Sequence, residues 1–394
     1  MTLSTRISTL TPGGSDGWEV FYRARQMKAA GTPVTELTIG EHDIRTEKII
    51  LDAMHRAAVD GHTGYAAVPG TLGLREAVAA RIQKQTGVPT TPDNILITPG
   101  GQAALFAAHI AVLDPGDRAL FIDPYYATYP GTIRGAGGIP VAIPADADAG
   151  FQPTAANITP HLTDDAATTK SLLINTPNNP TGVIYTQDTL TQIVDTCRAH
   201  NLWLISDEVY DTQVWSGTHL STRAMYPDRT LVIGSMSKSH AMTGSRIGWI
   251  CGPEDVLEAI TNLATHTTYG VPGYIQDAAL FALNQGDTLE ARVAAPFARR
   301  RPLAMQVLEG QNLVRAVPCD GAMYLMLDLR ATGLSGRDFA EQLLDTHHIA
   351  VMPGESFGTA AAGHVRVAMT VDDASFVAAL EALVAFAHTL TQEP

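Results

Sequence analysis

Cysteine is scarce in this chain: three residues, Cys197, Cys251 and Cys319, far apart and odd in number. Neither a disulfide framework nor a CxxC-type zinc site can be written from them, so no metal centre is expected and a reducing cytoplasm fits. Basic residues are also few. With 26 Lys+Arg against 40 Asp+Glu the net charge is -14, which repels phosphate backbones and anionic lipid and makes nucleic acid and membrane surfaces poor partners. Long apolar runs are missing: no uninterrupted stretch reaches the ~18 residues of a membrane span, and the opening Met1–Arg6 lacks the apolar stretch of a signal peptide. Repeats, low-complexity tracts and long charge blocks are absent as well. What remains is an ordinary globular composition, 45% apolar and 17% charged with 34 Gly and 23 Pro, which excludes disorder as the main state. The 394 residues exceed twice the ~150 of a usual domain, so two domains, or one with a lobe, are expected.

From about residue 93, short apolar runs alternate with longer helical stretches. The runs are 94–98, 119–123, 171–175, 202–206 and 230–234. Continuous apolar runs bounded by turn residues read as strands buried on both faces, and the intervening helices argue for parallel pairing. The expected fold is α/β, a mostly parallel sheet sandwiched by helices. After about residue 290 the order becomes helix (297–308), strand (323–329), helix (339–344), strands around Val351 and Val365, then helix (375–387). That order suits a smaller α+β lobe. The large domain is therefore set at 46–289, and the small one at 1–45 plus 290–394, with the N-terminal residues packed on the lobe.

In open parallel sheets, ligands bind at the carboxyl ends of the strands. Four pieces follow such ends. Pro99-Gly100-Gly101-Gln102 opens a helix whose free N–H groups and dipole suit a phosphate. Asn175-Thr176-Pro177-Asn178-Asn179-Pro180-Thr181-Gly182, Ser206-Asp207-Glu208-Val209-Tyr210 and Ser235-Met236-Ser237-Lys238-Ser239 come after later strands, with Arg246 eight residues beyond the lysine. Taken singly these read as a turn before a helix, a Pro/Asn/Gly turn, a capping or exposed carboxylate and a solvated serine-rich loop. Taken together, phosphate donors, an acid, a phenol, an amide and a lysine all follow successive strands of one sheet.

The ordered set resembles the class I/II aminotransferases, the fold type I pyridoxal-phosphate enzymes, and most closely the branch with many bacterial aspartate and aromatic aminotransferases. The resemblance spans nearly the whole chain: Gly40-Glu41, Tyr65, Gly70, Leu74-Arg75-Glu76, the four pieces above, Gly321-Ala322-Met323-Tyr324, Pro353-Gly354, Phe357-Gly358 and Val365-Arg366. It implies an enzyme that moves the amino group of an L-amino acid to a 2-oxo acid by ping-pong transamination. Lys238 would form the internal aldimine with the cofactor aldehyde, then shuttle the substrate Cα proton. That task needs a neutral amine, which desolvation and a nearby cation such as Arg246 favour. Asp207 would pair with the pyridine nitrogen, Tyr210 and Asn179 would reach the ring 3-oxygen, and Tyr126 would stack on the ring face. Gly101, Gln102, Ser235, Ser237 and Arg246 would hold the phosphate. Arg366 would grip the substrate carboxylate in two parallel bonds with Gly40 beside it, and Tyr65 would reach the neighbouring site of a homodimer.

Some positions depart from the family pattern. His42 stands where a proline is common, and reads either as a pocket residue or as a structural histidine. Gln102 replaces a lysine of some dicarboxylate-handling relatives, and His266 lies near where another branch places an arginine for a distal carboxylate. Trp18 lies in an N-terminal segment that in relatives can cover the site. These three together favour a neutral, aromatic or apolar donor over aspartate. Three rival readings remain: a pyridoxal-phosphate β-lyase on the same cofactor residues, a serine hydrolase built on Gly354-Glu355-Ser356-Phe357-Gly358 with Asp372 and His388, and a non-catalytic aminotransferase-like regulator. The last needs a DNA-binding segment, for which no room is expected before the fold begins.

Overall fold

A computed structural model describes residues 3–12, 17–162 and 169–391. Thirteen strands occur in it, in chain order β1 (Thr35–Glu36), β2 (Ile95–Thr98), β3 (Arg118–Asp123), β4 (Ile139–Pro144), β5 (Thr169–Asn175), β6 (Trp203–Asp207), β7 (Thr230–Ser235), β8 (Gly248–Cys251), β9 (Arg315–Ala316), β10 (Tyr324–Asp328), β11 (Ile349–Ala350), β12 (Met352–Pro353) and β13 (His364–Ala368). Seven of them form the main sheet in the order β2-β8-β7-β6-β5-β3-β4. All five apolar runs are strands of this sheet, and their side chains are almost wholly buried because helices cover both faces.

The sheet is parallel from β7 through β6, β5, β3 and β4, whereas β8 runs antiparallel between β2 and β7. The sheet is mostly parallel, as expected, with β8, which was not among the five apolar runs, as its antiparallel member. An apolar run does not encode direction, and β8 returns to the sheet through the short loop that carries Arg246. Since β2 and β7 both oppose β8, their carboxyl ends lie on the same edge. Thr98 and Ser235 both pair with Gly248, which brings the loop after β2 against the loop after β7.

Strands β12, β13, β10 and β9 form a second, antiparallel sheet, and β1 pairs in parallel with β11. The helices Glu19–Ala29, Gly336–His347 and Asp373–Leu390 cover these strands and share one core containing Val20, Leu37, Phe297, Leu343, Val365 and Phe376. Helix Asp373–Leu390 is the one described helix long and apolar enough to cross a membrane. Its Phe376, Leu380, Leu383 and Ala387 are spent on this core, so it is accounted for as a packing helix.

Residues from Trp18 onward pack on the lobe through Val20 and Ala24. The first described residues do not: helix Thr5–Ser8 lies near helix Tyr129–Gly135 of the main sheet, and the Arg134 guanidinium donates to the Leu10 carbonyl at 3.1 Å. Helix Asp287–Leu308 runs from one unit to the other, placing Leu289 in a core beside β2 and β8 and Phe297, Ala304 and Leu308 in the lobe.

Candidate active site

Residues after the carboxyl ends of β2, β3, β5, β6 and β7, with Ile39–Glu41 and Arg366 from the lobe side, enclose a cavity of about 320 Å³. Its lining includes Trp18, Gly40, Gly101, Gln102, Tyr126, Asn179, Asp207, Tyr210, Ser235, Ser237, Lys238, Arg246 and Arg366, all but one of the residues expected from sequence to meet the cofactor or the substrate. Tyr65 is the exception. It is 90% exposed, its ring set edge-on against Tyr269 at 5.1 Å, so it is not a core tyrosine of its own chain.

One end of the cavity is built for an anion. Gly100 is the N-cap of helix Gly101–Val112 and has φ +83°, a conformation that costs glycine little. The first N–H groups of that helix have no carbonyl within the helix to bond. A Cβ on Gly100 would lie 2.4 Å from Arg246 Nη2, so glycine lets the guanidinium lie against this loop. Arg246 donates to the Thr243 carbonyl at 2.9 Å and itself has φ +49°. Ser235 Oγ caps the next loop, accepting the Ser237 N–H at 3.1 Å and donating to the Ile247 carbonyl. Gly248 packs tightly here too, since a Cβ on it would meet Gly101 N at 3.0 Å.

At the far end Asp207, the last residue of β6, is buried, and burial pushes its carboxyl up to about 6 against the hydrogen bonds that favour the charged form. Tyr129 donates to its Oδ2 at 2.7 Å and the Val209 N–H to its Oδ1 at 3.3 Å. Asn175 donates to the Asp207 carbonyl at 2.9 Å and accepts the Asn179 N–H at 2.7 Å, which ties the ends of β5 and β6 together. Lys238 Nζ donates to the Gly40 carbonyl. Burial lowers the Lys238 pKa first, with Arg366 and Arg246 acting in the same direction and Tyr324 and Glu41 against.

The fully buried Arg366 guanidinium lies between the rings of Tyr324 and Phe357, at 4.4 and 4.3 Å from their centroids. It donates to Asn179 Oδ1 at 2.8 Å and to the Thr38 carbonyl, and no carboxylate is paired with it among the described residues. Tyr210 and Tyr324 share a hydroxyl contact of 3.0 Å, and burial first, then Tyr324, raises the Tyr210 pKa well above its ordinary value. Sequence reasoning missed Tyr129, Asn175 and Tyr324 as site residues. Tyr324 lay in a quoted motif, and Asn175 opened another. Nothing in the local pattern marks Tyr129, whose role depends on a helix meeting a strand 78 positions away.

Gln102 reaches the cavity but its amide is already engaged, donating to Thr132 at 2.7 Å and accepting from Thr128 at 3.0 Å. Trp18 caps helix Glu19–Ala29 and lines both this cavity and a larger one of about 1150 Å³ that also includes Phe106, Phe121 and Tyr125. Residues 13–16, in the same N-terminal segment as Trp18, lie outside the described residues. His266 is exposed at the end of helix Glu254–Thr265 and does not line the cavity. His42 packs edge-on against Phe297 and bonds the Lys238 carbonyl rather than entering the cavity. The hydrolase constellation does not assemble. Ser356 donates to the Gly17 carbonyl at 2.6 Å, while Asp372 caps the start of helix Asp373–Leu390 and His388 lies in its last turn, about 24 Å along the axis.

Residues 32–383 match the family model "Aminotransferase class I and II". The chain is 36% identical to the arginine–pyruvate transaminase of Pseudomonas aeruginosa over 91% of both chains, and 34% identical to the aspartate/prephenate aminotransferase of Thermus thermophilus over 96% of this chain and 97% of that one. A solved variant of the Thermus thermophilus aspartate aminotransferase superposes with a TM-score of 0.91 at 34% identity, covering 98% of this chain and 99% of that chain. These names do not favour the β-lyase reading.

Proposed function

This chain belongs to the class I and II aminotransferases, enzymes dependent on pyridoxal phosphate, and from that premise we propose how its residues move an amino group from an L-amino acid to a 2-oxo acid. The observation that carries the assignment is the convergence of Lys238, Asp207 and Arg366, from three separate segments, on one cavity. The donor set fits the cofactor: an anion cradle at one end, a buried carboxylate at the other, an amine between them. When bound, the cofactor supplies an electron sink conjugated to the substrate Cα.

The chain's own residues do the rest. The N–H groups of Gly101 and Gln102, the hydroxyls of Ser235 and Ser237 and the Arg246 guanidinium hold the phosphate, through charge-assisted bonds of roughly 1.5–3 kcal/mol each. Asp207 would hold the proton of the ring nitrogen, with Tyr129 keeping the carboxylate oriented. Tyr210 and Asn179 would hold the 3-oxygen, and Tyr126 would lie against the ring. Arg366, unpaired by any protein carboxylate among the described residues, grips the substrate carboxylate beside Gly40. Lys238 Nζ would take the proton from the substrate Cα, and burial, by lowering its pKa, makes the neutral amine accessible for that task. Both half-reactions use the same groups, so the kinetics are ping-pong.

We further propose a homodimer in the cytoplasm, with domains divided at 46–289 and 1–45 plus 290–394 and Tyr65 serving the partner's site. For the donor, Gln102 supports a neutral or apolar side chain over aspartate: its amide carries no charge and is engaged by two threonines. Trp18, an aromatic side chain lining the cavity, supports the same reading. His266, exposed and away from the cavity of its own chain, lends no support.

Borohydride reduction of the holoenzyme followed by peptide mapping tests the assignment. The cofactor adduct is expected on Lys238; an adduct on another lysine overturns it. Steady-state comparison of phenylalanine, methionine, alanine, glutamate and aspartate tests the donor class. Aspartate leading by more than about tenfold in kcat/KM, roughly 1.4 kcal/mol of transition-state binding, reverses that proposal.

A further inference from the structure

Lys238 lies in a helix of only four residues, Met236–Ser239. Its carbonyl therefore has no following turn to bond, since the next N–H groups inward, His240 and Met242, both turn back to the Met236 carbonyl. Two side chains from distant segments meet this orphan acceptor. His42 Nε2 lies 3.0 Å from Lys238 O, and Gln213 Nε2 donates to the same oxygen at 3.2 Å. His42 Nδ1 and Gln213 Oε1 have no hydrogen-bond partner among the described residues, so the Lys238 carbonyl is the one polar contact that fixes either side chain. Burial lowers the His42 pKa to about 4, which leaves the ring neutral, and an acceptor opposite Nε2 requires that nitrogen to carry the proton.

The same short segment grips the lysine at its other end, because Lys238 Nζ donates to the Gly40 carbonyl. The segment is in turn anchored outside the cavity. Asp43 receives both terminal nitrogens of the buried Arg300, at 3.0 and 2.5 Å, and the Thr38 carbonyl receives Arg366. Residues 38–43 are thus strung between the arginine assigned to the substrate carboxylate and the peptide that carries the lysine.

We infer that His42 is a positioning residue for the Lys238 amine: with Gln213 it pins the lysine's peptide to the Gly40–Asp43 segment, so that Nζ swings about a fixed Cα between the segment and the substrate. His42 touches neither substrate nor cofactor in this account; it acts through the peptide it holds. The inference rests on the assignment of Lys238 as the reacting lysine.

The test uses the holoenzyme and three variants. His42→Phe keeps an aromatic ring against Phe297 and removes the donor. His42→Gln places an amide nitrogen at the reach of Nε2, and His42→Asn places one short of it. The expected result for His42→Phe is a fall of about tenfold in kcat, the scale of one lost hydrogen bond to a reacting group, with donor KM changed by less than about twofold. The deuterium isotope effect with Cα-deuterated donor should rise, and the pH at which the resting enzyme's visible absorption changes should move. His42→Gln should restore all three readouts and His42→Asn should not, a contrast that stands even where the phenylalanine variant fails to fold. Gln213→Leu should do similar damage, and the double variant less than the product of the singles, because both act on one oxygen. The inference is overturned if His42→Phe leaves kcat, isotope effect and absorption unchanged, or if glutamine and asparagine variants are equally impaired. Hydride mapping of the cofactor in the wild type keeps the two levels distinct: an adduct away from Lys238 overturns the proposed function and this inference with it, whereas an adduct on Lys238 with an indifferent His42 overturns the inference alone.

Discussion

Asp207 shows what burying a carboxylate for its proposed role costs the fold. Its folded carboxyl has a pKa near 6 against 3.8, because burial outweighs the bonds from Tyr129 and Val209. The folded state therefore binds this proton more tightly than the unfolded chain does. Its stabilising contribution is present below about pH 4 and is lost as pH rises through 6, at most roughly 3 kcal/mol for a change of this size. Cofactor-free Asp207→Asn is thus expected to be more stable than the parent above pH 6 and equal to it below about pH 4, as denaturant titrations at several pH values would show. The same variant should slow Cα deprotonation in single half-reactions, since an amide cannot hold the ring proton. A stability gain at pH 4 as large as that at pH 7 would contradict the account. Arg366 makes the complementary case. Stacked between Tyr324 and Phe357 and paired with no carboxylate among the described residues, it is expected to tolerate lysine poorly: Arg366→Lys should lower kcat/KM for amino acids by more than tenfold, because one ammonium cannot make two parallel bonds, while cofactor affinity by equilibrium titration stays within about threefold.

At the scale of elements, the loop between β2 and helix Gly101–Val112 is where backbone conformation and charge meet. Gly100→Ala should cost at least about 1 kcal/mol through its positive φ, and its methyl group should displace the Arg246 guanidinium from the anion cradle. The expected signature is weaker cofactor binding, read from the pyridoxal phosphate needed for half-saturation, with donor KM at saturating cofactor little changed. Unaltered cofactor affinity would mean that Arg246 is not part of the cradle. Strands β2, β3, β5, β6 and β7 were legible in the text because helices cover both sheet faces, which demands continuous apolar runs. Strand β4 was not: it is an edge strand with prolines at positions 140 and 144 and an exposed Ile139, so it lacks that signature. Strand β8 was missed because glycines at 248 and 252 bracket its apolar residues, Trp249, Ile250 and Cys251, of which only one is β-branched.

At the scale of the whole molecule, an exposed Tyr65 set edge-on against the half-exposed Tyr269 is unusual surface for a chain acting alone, and Ile49, Leu51, Val59 and Leu72 are exposed within the same stretch of sequence. The proposed dimer makes a quantitative prediction. Lys238→Ala chains keep Tyr65, and Tyr65→Ala chains keep the lysine, so each mixed dimer holds one site assembled from intact parts. Equal amounts refolded together should regain about a quarter of the wild-type sites at limiting pyridoxal phosphate, if chains mix at random in a two-fold dimer. Activity no higher than the mean of the separate variants would assign Tyr65 to its own chain.

The sequence alone determined the α/β class and the cluster of polar residues at the strand ends. Each of these is written locally, in apolar runs whose burial requires them and in polar residues placed just after those runs. Only the tertiary structure decided which side chains complete the site. Tyr129 on Asp207, Tyr324 over Arg366, and His42 with Gln213 on the Lys238 carbonyl all join residues between 25 and 196 positions apart, 78 in the case of Tyr129. The physical reason is that a hydrogen bond depends on the distance between two atoms in space, and no local periodicity records it. The same holds for the first described residues, which were expected on the lobe and lie against the main sheet's helix Tyr129–Gly135. Where a short segment with little core of its own will settle is decided by the surface it meets, not by its own residues.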